Sequence, residues 1–361
     1  MSDGGARSAD DDLSLGAAGG AEPQVAINAR AAIRREIGGV ERLAQEMAMR
    51  LVALRPDRYR VLRPPAAMAH RAGHMWEQFV LPVRAGRRAL IYSPANLAPV
   101  LARDNVVVIH DAAALRHPEA YSRAYVSYQR LMLPLLARRA RLVITVSEFS
   151  RQELVDLLHV SPERVSVIPE GVDERFAPGV DPEPARRAYG LERPYVLFVG
   201  TASERKNLDS LGPAADALRH RGAELIMAGS DRRYLRGGAT TIRRLGYVPE
   251  ELLPSLYAGA LALTMPSRHE GFGLPCLEAM ASGVPVVASD AGALPQTVGE
   301  AGLLVAADDP QQLAEAVSAA AFEEQTRERL IAAGLTRAAR NTWDRTAELT
   351  DSALSRVIAE G

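Results

Sequence analysis

The sequence predicts an α/β protein built from two doubly wound, Rossmann-like domains facing each other across a cleft. Three observations predict it. Short β-rich apolar runs alternate with helical patterns along most of the chain, the arrangement that builds parallel sheets with crossover helices. The pattern restarts at Tyr195 after a Pro-rich break, Ala177-Pro-Gly-Val-Asp-Pro-Glu-Pro184. His110, Gly200 and Glu270 each fall at or just beyond the C-terminal end of an apolar run, where ligands sit in open α/β sheets. A chain of 361 residues suits two domains of ordinary size.

Taken in order, residues 1–22 are rich in Gly, Ala, Ser and Asp and lack the basic-then-apolar order of a secretion signal. They are expected to be a disordered tail, with Asp10-Asp-Asp12 a solvated acid cluster rather than a metal site. The first domain is expected over 23–176. Its strands lie near Val25–Asn28, Leu90–Ser93, Val106–Ile109, Leu142–Val146 and Val165–Ile168, and its helices over Val40–Leu54, Ser122–Ala140 and Phe149–Leu158. Residues 177–184 form the linker, because closely spaced Pro and Gly break both periodicities. The second domain, 185–342, opens on the strand from Tyr195. Strands near Glu224–Ala228, Leu261–Thr264 and Val284–Ala288 follow, with helices near Leu208–His220, Pro249–Ala258, Gly273–Ala281 and Pro310–Ala320.

Composition excludes several classes. With 43 basic and 44 acidic residues the net charge is −1, which gives no global pull toward nucleic acid. The single cysteine, Cys276, excludes an internal disulfide framework, fits a reducing compartment and reads as a small buried residue. No apolar run approaches the ~18 residues a membrane helix needs. From Arg30 to Arg71 the basic residues outnumber the acids; this stretch reads either as a face for an anionic membrane or lipid-diphosphate ligand, or as a solvated surface.

The most informative stretch is Met265-Pro-Ser-Arg-His-Glu-Gly-Phe-Gly-Leu-Pro-Cys-Leu-Glu-Ala-Met-Ala-Ser-Gly-Val-Pro-Val-Val-Ala288. A strand end leads into a turn carrying Glu270 and then a helix carrying Glu278. Eight residues along a helix rise about 12 Å, roughly the length of a sugar, pyrophosphate and ribose. The helix N-terminus favours an anion, and Gly271 and Gly273 clear side chains from its approach. The plain alternative is a crossover with solvated acids.

Among the 43 basic residues one is lysine, Lys206. It lies in Ser203-Glu-Arg-Lys-Asn-Leu208, after a strand ending at Gly200 and at a helix start. A compact ammonium suits a point contact to phosphate. His110-Asp111 closes another buried strand, where the imidazole can exchange protons and the adjacent acid can orient it. His269 beside Glu270 either lines the cleft or frames it; His70, His74, His117, His159 and His220 read as surface or loop residues. Gly38-Gly39 puts bare backbone and a helix start toward the cleft.

Stretch 265–288 resembles the Glu-x7-Glu signature of retaining glycosyltransferases of the GT-B fold, in the family-4 group. Val199-Gly-Thr-Ala-Ser-Glu-Arg-Lys-Asn207 resembles that group's phosphate-binding turn. Trp76-Glu-Gln-Phe-Val-Leu-Pro82, Ser93-Pro-Ala-Asn96, Val108-Ile-His-Asp111, Thr145-Val-Ser-Glu-Phe-Ser-Arg151 and Val167-Ile-Pro-Glu-Gly-Val-Asp173 are similar to the subgroup holding many bacterial mannosyltransferases. The similarity covers about residues 24–345. Two positions depart: Thr201 stands where many relatives have arginine, and Gln296 where they often have glutamate.

The resemblance implies a transferase that moves a hexose from a nucleotide-diphospho-sugar, GDP-mannose as first expectation, to a hydroxyl of a glycan, lipid-linked or small-molecule acceptor. Catalytic roles fall on His110, Asp111, Glu270 and Lys206. Donor binding falls on Gly38, Gly39, Gly200, Thr201, Arg205, Lys206, Gly271, Phe272, Gly273, Leu274 and Glu278, with Tyr247 and Val248 of Gly246-Tyr-Val-Pro249 at the nucleobase. Residues 343–361 would be the helix that returns to the first domain. No cofactor and no metal are expected, since no Asp-x-Asp lies at a strand end. The expected setting is the cytoplasm, or the inner face of the membrane. Open alternatives are a catalytically silent sugar-nucleotide-binding partner subunit and another GT-B-like enzyme such as an epimerase. A nicotinamide-dependent dehydrogenase is disfavoured, because no Gly-x-Gly-x-x-Gly follows the first strand of either half.

Overall fold

The computed structural model describes residues 24–34, 36–65, 68, 72–229 and 242–360. The expected tail with its Asp10–Asp12 run, and Arg35, His70 and Arg71, lie outside the described residues.

The apolar runs become two six-stranded sheets. The first holds β1 (Val25–Asn28), β2 (Tyr59–Leu62), β3 (Leu90–Ser93), β4 (Asn105–Val108), β5 (Leu142–Thr145) and β6 (Val165–Val167), in the order β2-β1-β3-β4-β5-β6. The second holds β7 (Tyr195–Val199), β8 (Glu224–Ala228), β9 (Arg243–Gly246), β10 (Ala260–Met265), β11 (Val286–Ser289) and β12 (Leu303–Val305), in the order β12-β11-β10-β7-β8-β9. Every ladder is parallel. Strands such as β1, β3 and β11 are buried at every residue, as sheets covered by helices on both faces require. Each sheet reverses direction once, between β1 and β3 and between β7 and β10. Those switch points open a crevice at the strand C-termini.

Several elements differ from expectation. β2, β9 and β12, and helices over Ala72–Ala85 and Glu324–Ala338, were not expected. The expected linker 177–184 is shorter: the helix Glu183–Tyr189 starts inside it, with Pro184 in its first turn, where proline is tolerated. The helix carrying Glu278 spans Leu274–Ala281, so the path from Glu270 is half loop and the all-helical rise does not apply.

Four helices place the site: α1 (Gly39–Leu54), α2 (Glu148–Leu158), α3 (Leu274–Ala281) and α4 (Trp343–Ala359). α4 is capped by the Thr342 side chain and lies against α1. Its Asp351 accepts from Tyr59 Oη at 2.5 Å and from Arg55 Nε at 2.9 Å. Two chain segments join the halves side by side. Val172 N–H donates to Asn341 O at 2.9 Å, and a Cβ at Gly171 would fall 2.2 Å from Trp343 N.

Most described arginines of the Arg-rich stretch are paired with acids of the chain. Arg30 is buried against Glu77 at 3.1 Å, and Arg34 pairs with Glu41 at 2.7 Å. Arg50, Arg55 and Arg58 pair with acids of α4, and Arg42 turns into the cleft.

Candidate active site

A cavity of about 350 Å³ opens between the C-terminal ends of the two sheets, within the range that holds a small ligand. Every residue given a catalytic or donor-binding role from the sequence lines it. His110 and Asp111 follow β4, and Gly38 and Gly39 start α1. Gly200 and Thr201 end β7, with Arg205 and Lys206 just beyond. Tyr247 and Val248 follow β9. Glu270 through Leu274 and Glu278 complete the second-domain wall.

Glu270 is the electrostatic centre. Lys206 Nζ pairs with its Oε1, Arg205 lies 3.3 Å from Oε2, and Ser267 Oγ donates at 2.7 Å. Burial alone would raise its pKa, but Lys206 and Arg205 together hold it down at about 2. Burial lowers the Lys206 pKa, with Glu270 resisting. The ammonium is placed by its neighbour: Asn207 Nδ2 donates to Pro266 O at 3.1 Å and to Ala307 O at 2.7 Å. These bonds tie the β7 loop to the loops after β10 and β12.

Glycine is required where the loop meets the helix. At Gly271 a Cβ would lie 3.0 Å from His110 O and 3.1 Å from Asp111 Oδ2. Ser147 Oγ donates to Gly271 O at 2.6 Å, so this turn is pressed against the first domain. Gly273 begins α3 at φ 101°, a left-handed conformation that suits glycine. No side chain caps this helix, so its backbone N–H groups remain available to an anion.

Glu278, buried in α3, is held from the other domain. Arg42 of α1 approaches its Oε1 at 3.0 Å, and Tyr257 Oη donates to Oε2 at 2.7 Å. Arg42 also pairs with Glu250 at 2.6 Å. Burial raises the Glu278 pKa and Arg42 only partly reverses it. Burial tends to lower the Arg42 pKa, but Glu278 and Glu250 carry it above its ordinary value.

His110 is held at both ring nitrogens: Nε2 lies 3.3 Å from Pro94 O and Nδ1 3.3 Å from Glu170 Oε1. Burial would lower its pKa, yet Glu170 and the Pro94 carbonyl raise it. This corrects the expectation for the His-Asp pair. Glu170 orients the ring, while Asp111 Oδ1 accepts from Ala113 N–H at 3.0 Å. Neighbouring side chains at a strand end point opposite ways.

His269 frames the cavity rather than lining it. It is buried and 2.8 Å from Glu153 of α2. Cys276 is fully buried, and burial raises its thiol pKa. Gln296 Oε1 accepts from Glu148 N–H at 3.0 Å, joining the second domain to the start of α2. Sequence reasoning missed Arg42, Glu170 and Tyr257. Arg42 had one usable signal, its place in the first turn after Gly38-Gly39. Glu170 stood unremarked in a quoted motif.

With this geometry in hand, comparison with known proteins is informative. A family model described as Glycosyl transferases group 1 matches residues 193–321, and one described as Glycosyltransferase Family 4 matches residues 98–176. The chain is 35% identical over 257 residues to O-antigen chain mannosyltransferase B of Escherichia coli, covering 66% of this chain and 67% of that one. It is 34% identical over 244 residues to D-inositol 3-phosphate glycosyltransferase of Frankia alni, covering 59% and 58%. Across the inositol-phosphate relatives the chain spans as little as 49% of their length. Sucrose-phosphate synthase from Thermosynechococcus elongatus aligns with a TM-score of 0.73 at 19% identity, over 94% of this chain and 100% of that one. Anabaena HepE in complex with UDP-glucose aligns at 0.69 and 20%, over 92% and 99%. At such identities these structures speak to fold, and the fold is GT-B.

Proposed function

The chain belongs to the group 1, family 4 glycosyltransferases, and on that premise we propose that it transfers a hexose from a nucleotide-diphospho-sugar with retention of anomeric configuration. The observation that carries this reading is the pair of buried carboxylates, Glu270 and Glu278, flanking the uncapped start of α3 with Lys206 and Arg205 beside them.

In this reading Glu278 accepts from the ribose hydroxyls, which need an acceptor pair that a carboxylate supplies. Lys206, Arg205 and the N–H groups near Gly200 and Gly271–Leu274 hold the diphosphate. Glu270 contacts the transferred sugar with His110 opposite, its ring held by Glu170. The bond from sugar to diphosphate breaks and its electron pair leaves with the phosphate; the acceptor oxygen bonds the anomeric carbon on the same face, and its proton passes to the departing diphosphate. Fixed cations act where the leaving group gains charge. GDP-mannose is the first donor to test, supported by the O-antigen mannosyltransferase relative. The acceptor is a glycan, lipid-linked or small-molecule hydroxyl.

We propose that transfer needs no metal. The expected outcome is full activity after exhaustive chelation, and its abolition contradicts the proposal. The donor test is thermal unfolding against GDP, UDP, ADP and dTDP and their sugar conjugates. A ligand at 100 times its Kd adds about 2.7 kcal/mol. One nucleotide standing out assigns the donor class, and no shift from any overturns the reading. The silent partner subunit draws on Thr201, where relatives carry arginine. Slow donor hydrolysis without acceptor is expected of the enzyme and not of that subunit.

A further inference from the structure

Three side chains of one helix grip the turn that carries Glu270. Ser147, Ser150 and Glu153 stand three positions apart at the start of α2, so they stack along one side of it. Ser147 Oγ donates to Gly271 O at 2.6 Å, and Ser150 Oγ donates to the same carbonyl at 3.1 Å. One turn further on, Glu153 Oε2 lies 2.8 Å from His269 Nε2. α2 belongs to the first domain and residues 269–271 to the second, so each of these bonds joins the two.

His269 enters the first domain as a plug enters a socket. It is 2% exposed, and Glu153 is 3% exposed. The rings of His117 and Phe149 meet the imidazole edge-on, each with centroids 5.2 Å away, an arrangement that aromatic pairs favour. Glu153 is itself aimed, because its Oε1 accepts from Arg116 Nε at 3.0 Å. The second ring nitrogen of His269, Nδ1, has no partner among the described residues. The bond to Glu153 is therefore the polar restraint that sets the direction of the ring. Apolar side chains of similar volume would seal this contact without the cost of burying polar groups. What the polar pair adds is a fixed direction and distance.

That distance matters because of what stands beside His269. The His269 carbonyl accepts from Arg205, the guanidinium that also lies 3.3 Å from Glu270. On the other side of Glu270, a Cβ at Gly271 would come within 3.0 Å of His110 O. The charge of Glu270 is set inside the second domain, but its separation from His110 depends on how this turn seats on α2.

We propose that Glu153 is a positioning residue for transfer. By holding His269 it seats the turn so that Glu270 and His110 face one sugar from opposite domains. Glu153 lines no part of the cavity and acts through His269. This role rests on the transferase reading above.

The test compares Glu153→Met, Glu153→Gln, His269→Leu and the double variant Glu153→Met/His269→Leu with the parent chain. The apolar replacements keep roughly the native volume, Arg116 is exposed enough to meet water, and thermal unfolding is the folding control. The readouts are turnover of the nucleotide-sugar that the thermal screen singles out, GDP-mannose first, and affinity for the matching nucleoside diphosphate. Glu153→Met is expected to lower kcat by roughly 10- to 100-fold, the scale on which a displaced reacting group costs rate. Its Kd for the nucleotide is expected to stay within about twofold, the pattern of a lost transition-state interaction rather than of lost ground-state binding. Glu153→Gln keeps an oxygen that can accept from Nε2 and is expected to recover most of the rate. The double variant is expected to be no slower than the slower single variant, as coupled partners behave.

Parent-like kcat in Glu153→Met overturns the proposal. So does a loss of nucleotide affinity as large as the loss of kcat, additive loss in the double variant, or a Glu153→Gln as slow as Glu153→Met. A parent chain that turns over no nucleotide-sugar counts against the transferase reading rather than against the seating of the turn. The distance between spin labels on the two domains of the ligand-free chain then decides the seating. A longer or broader distribution in Glu153→Met supports it, and an unchanged one overturns it.

Discussion

Glu270 and Glu278 stand eight positions apart and face one cavity, yet the two regions that hold them are organised differently. Glu270 is held within its own domain by Lys206, Arg205 and Ser267. Its charge is secure whether or not the halves meet. Glu278 depends on Arg42, which arrives from the first domain. One carboxylate is a fixed part of the second domain; the other reports on domain contact. Half of this site is therefore held within one domain and half by contact between the two.

Breaking the interdomain pair is expected to have the largest effect. Arg42→Met leaves Glu278 buried without its cation, while Glu250 keeps Arg175; a buried pair that loses one partner costs roughly 3–5 kcal/mol. Denaturant unfolding checks this. Arg42→Met/Glu278→Leu is expected to recover most of that stability, since apolar replacement of both partners is often neutral. Nucleotide binding is expected to stay weak, because the carboxylate proposed to accept from the ribose is gone. If the double variant is no more stable than Arg42→Met, the pair is not the interdomain tie described here.

Lys206→Ala comes next. Preorganised charge of this kind contributes about 3 kcal/mol to a transition state, so transfer is expected to fall by ~10²-fold or more. Turnover near that of the parent chain would remove Lys206 from the mechanism.

The pH response sharpens the contrast, because the carboxylates shift in opposite directions. Glu270 has a folded pKa near 2, below its unfolded value of about 4.3. Its stabilisation is present above the unfolded value and is lost as pH falls toward 2. Glu278 is raised, so its ionised form costs stability at neutral pH, and that cost is relieved as pH falls through its folded pKa. Stability measured from pH 7 downward is expected to rise first as the Glu278 cost is relieved and to fall only as Glu270 approaches its folded pKa; Glu278→Gln removes the first part alone. The smallest effect belongs to Gln296→Ala, which deletes one exposed interdomain hydrogen bond; a loss of about 0.5 kcal/mol is expected.

What could be read from the sequence follows the same division. The signature stretch and the Lys206 turn are each contiguous, so spacing exposed them. Arg42 and Glu170 reach the cavity from separate loops, and no local pattern marks such meetings. The fold was legible at its centre: β1 and β3 were expected at the observed residues, because buried parallel strands are continuous apolar runs. The three missed strands, β2, β9 and β12, are all sheet edges. Tyr59-Arg-Val-Leu62 and Arg243-Arg-Leu-Gly246 carry arginine, as exposed edges commonly do, and so resemble loops. The helix over Ala72–Ala85 was hidden by Gly73 and Pro82, residues that ordinarily interrupt helices.

The paired passage of the chain between the halves has a mechanical consequence. Val172 is bonded to Asn341, and Gly171 is pressed under Trp343. A single tether would let one domain swivel freely, whereas two joined tethers resist twist and bend together. Paired in this way, the two passages would favour rocking about one axis over swivelling, and rocking is the motion that would part Arg42 from Glu278.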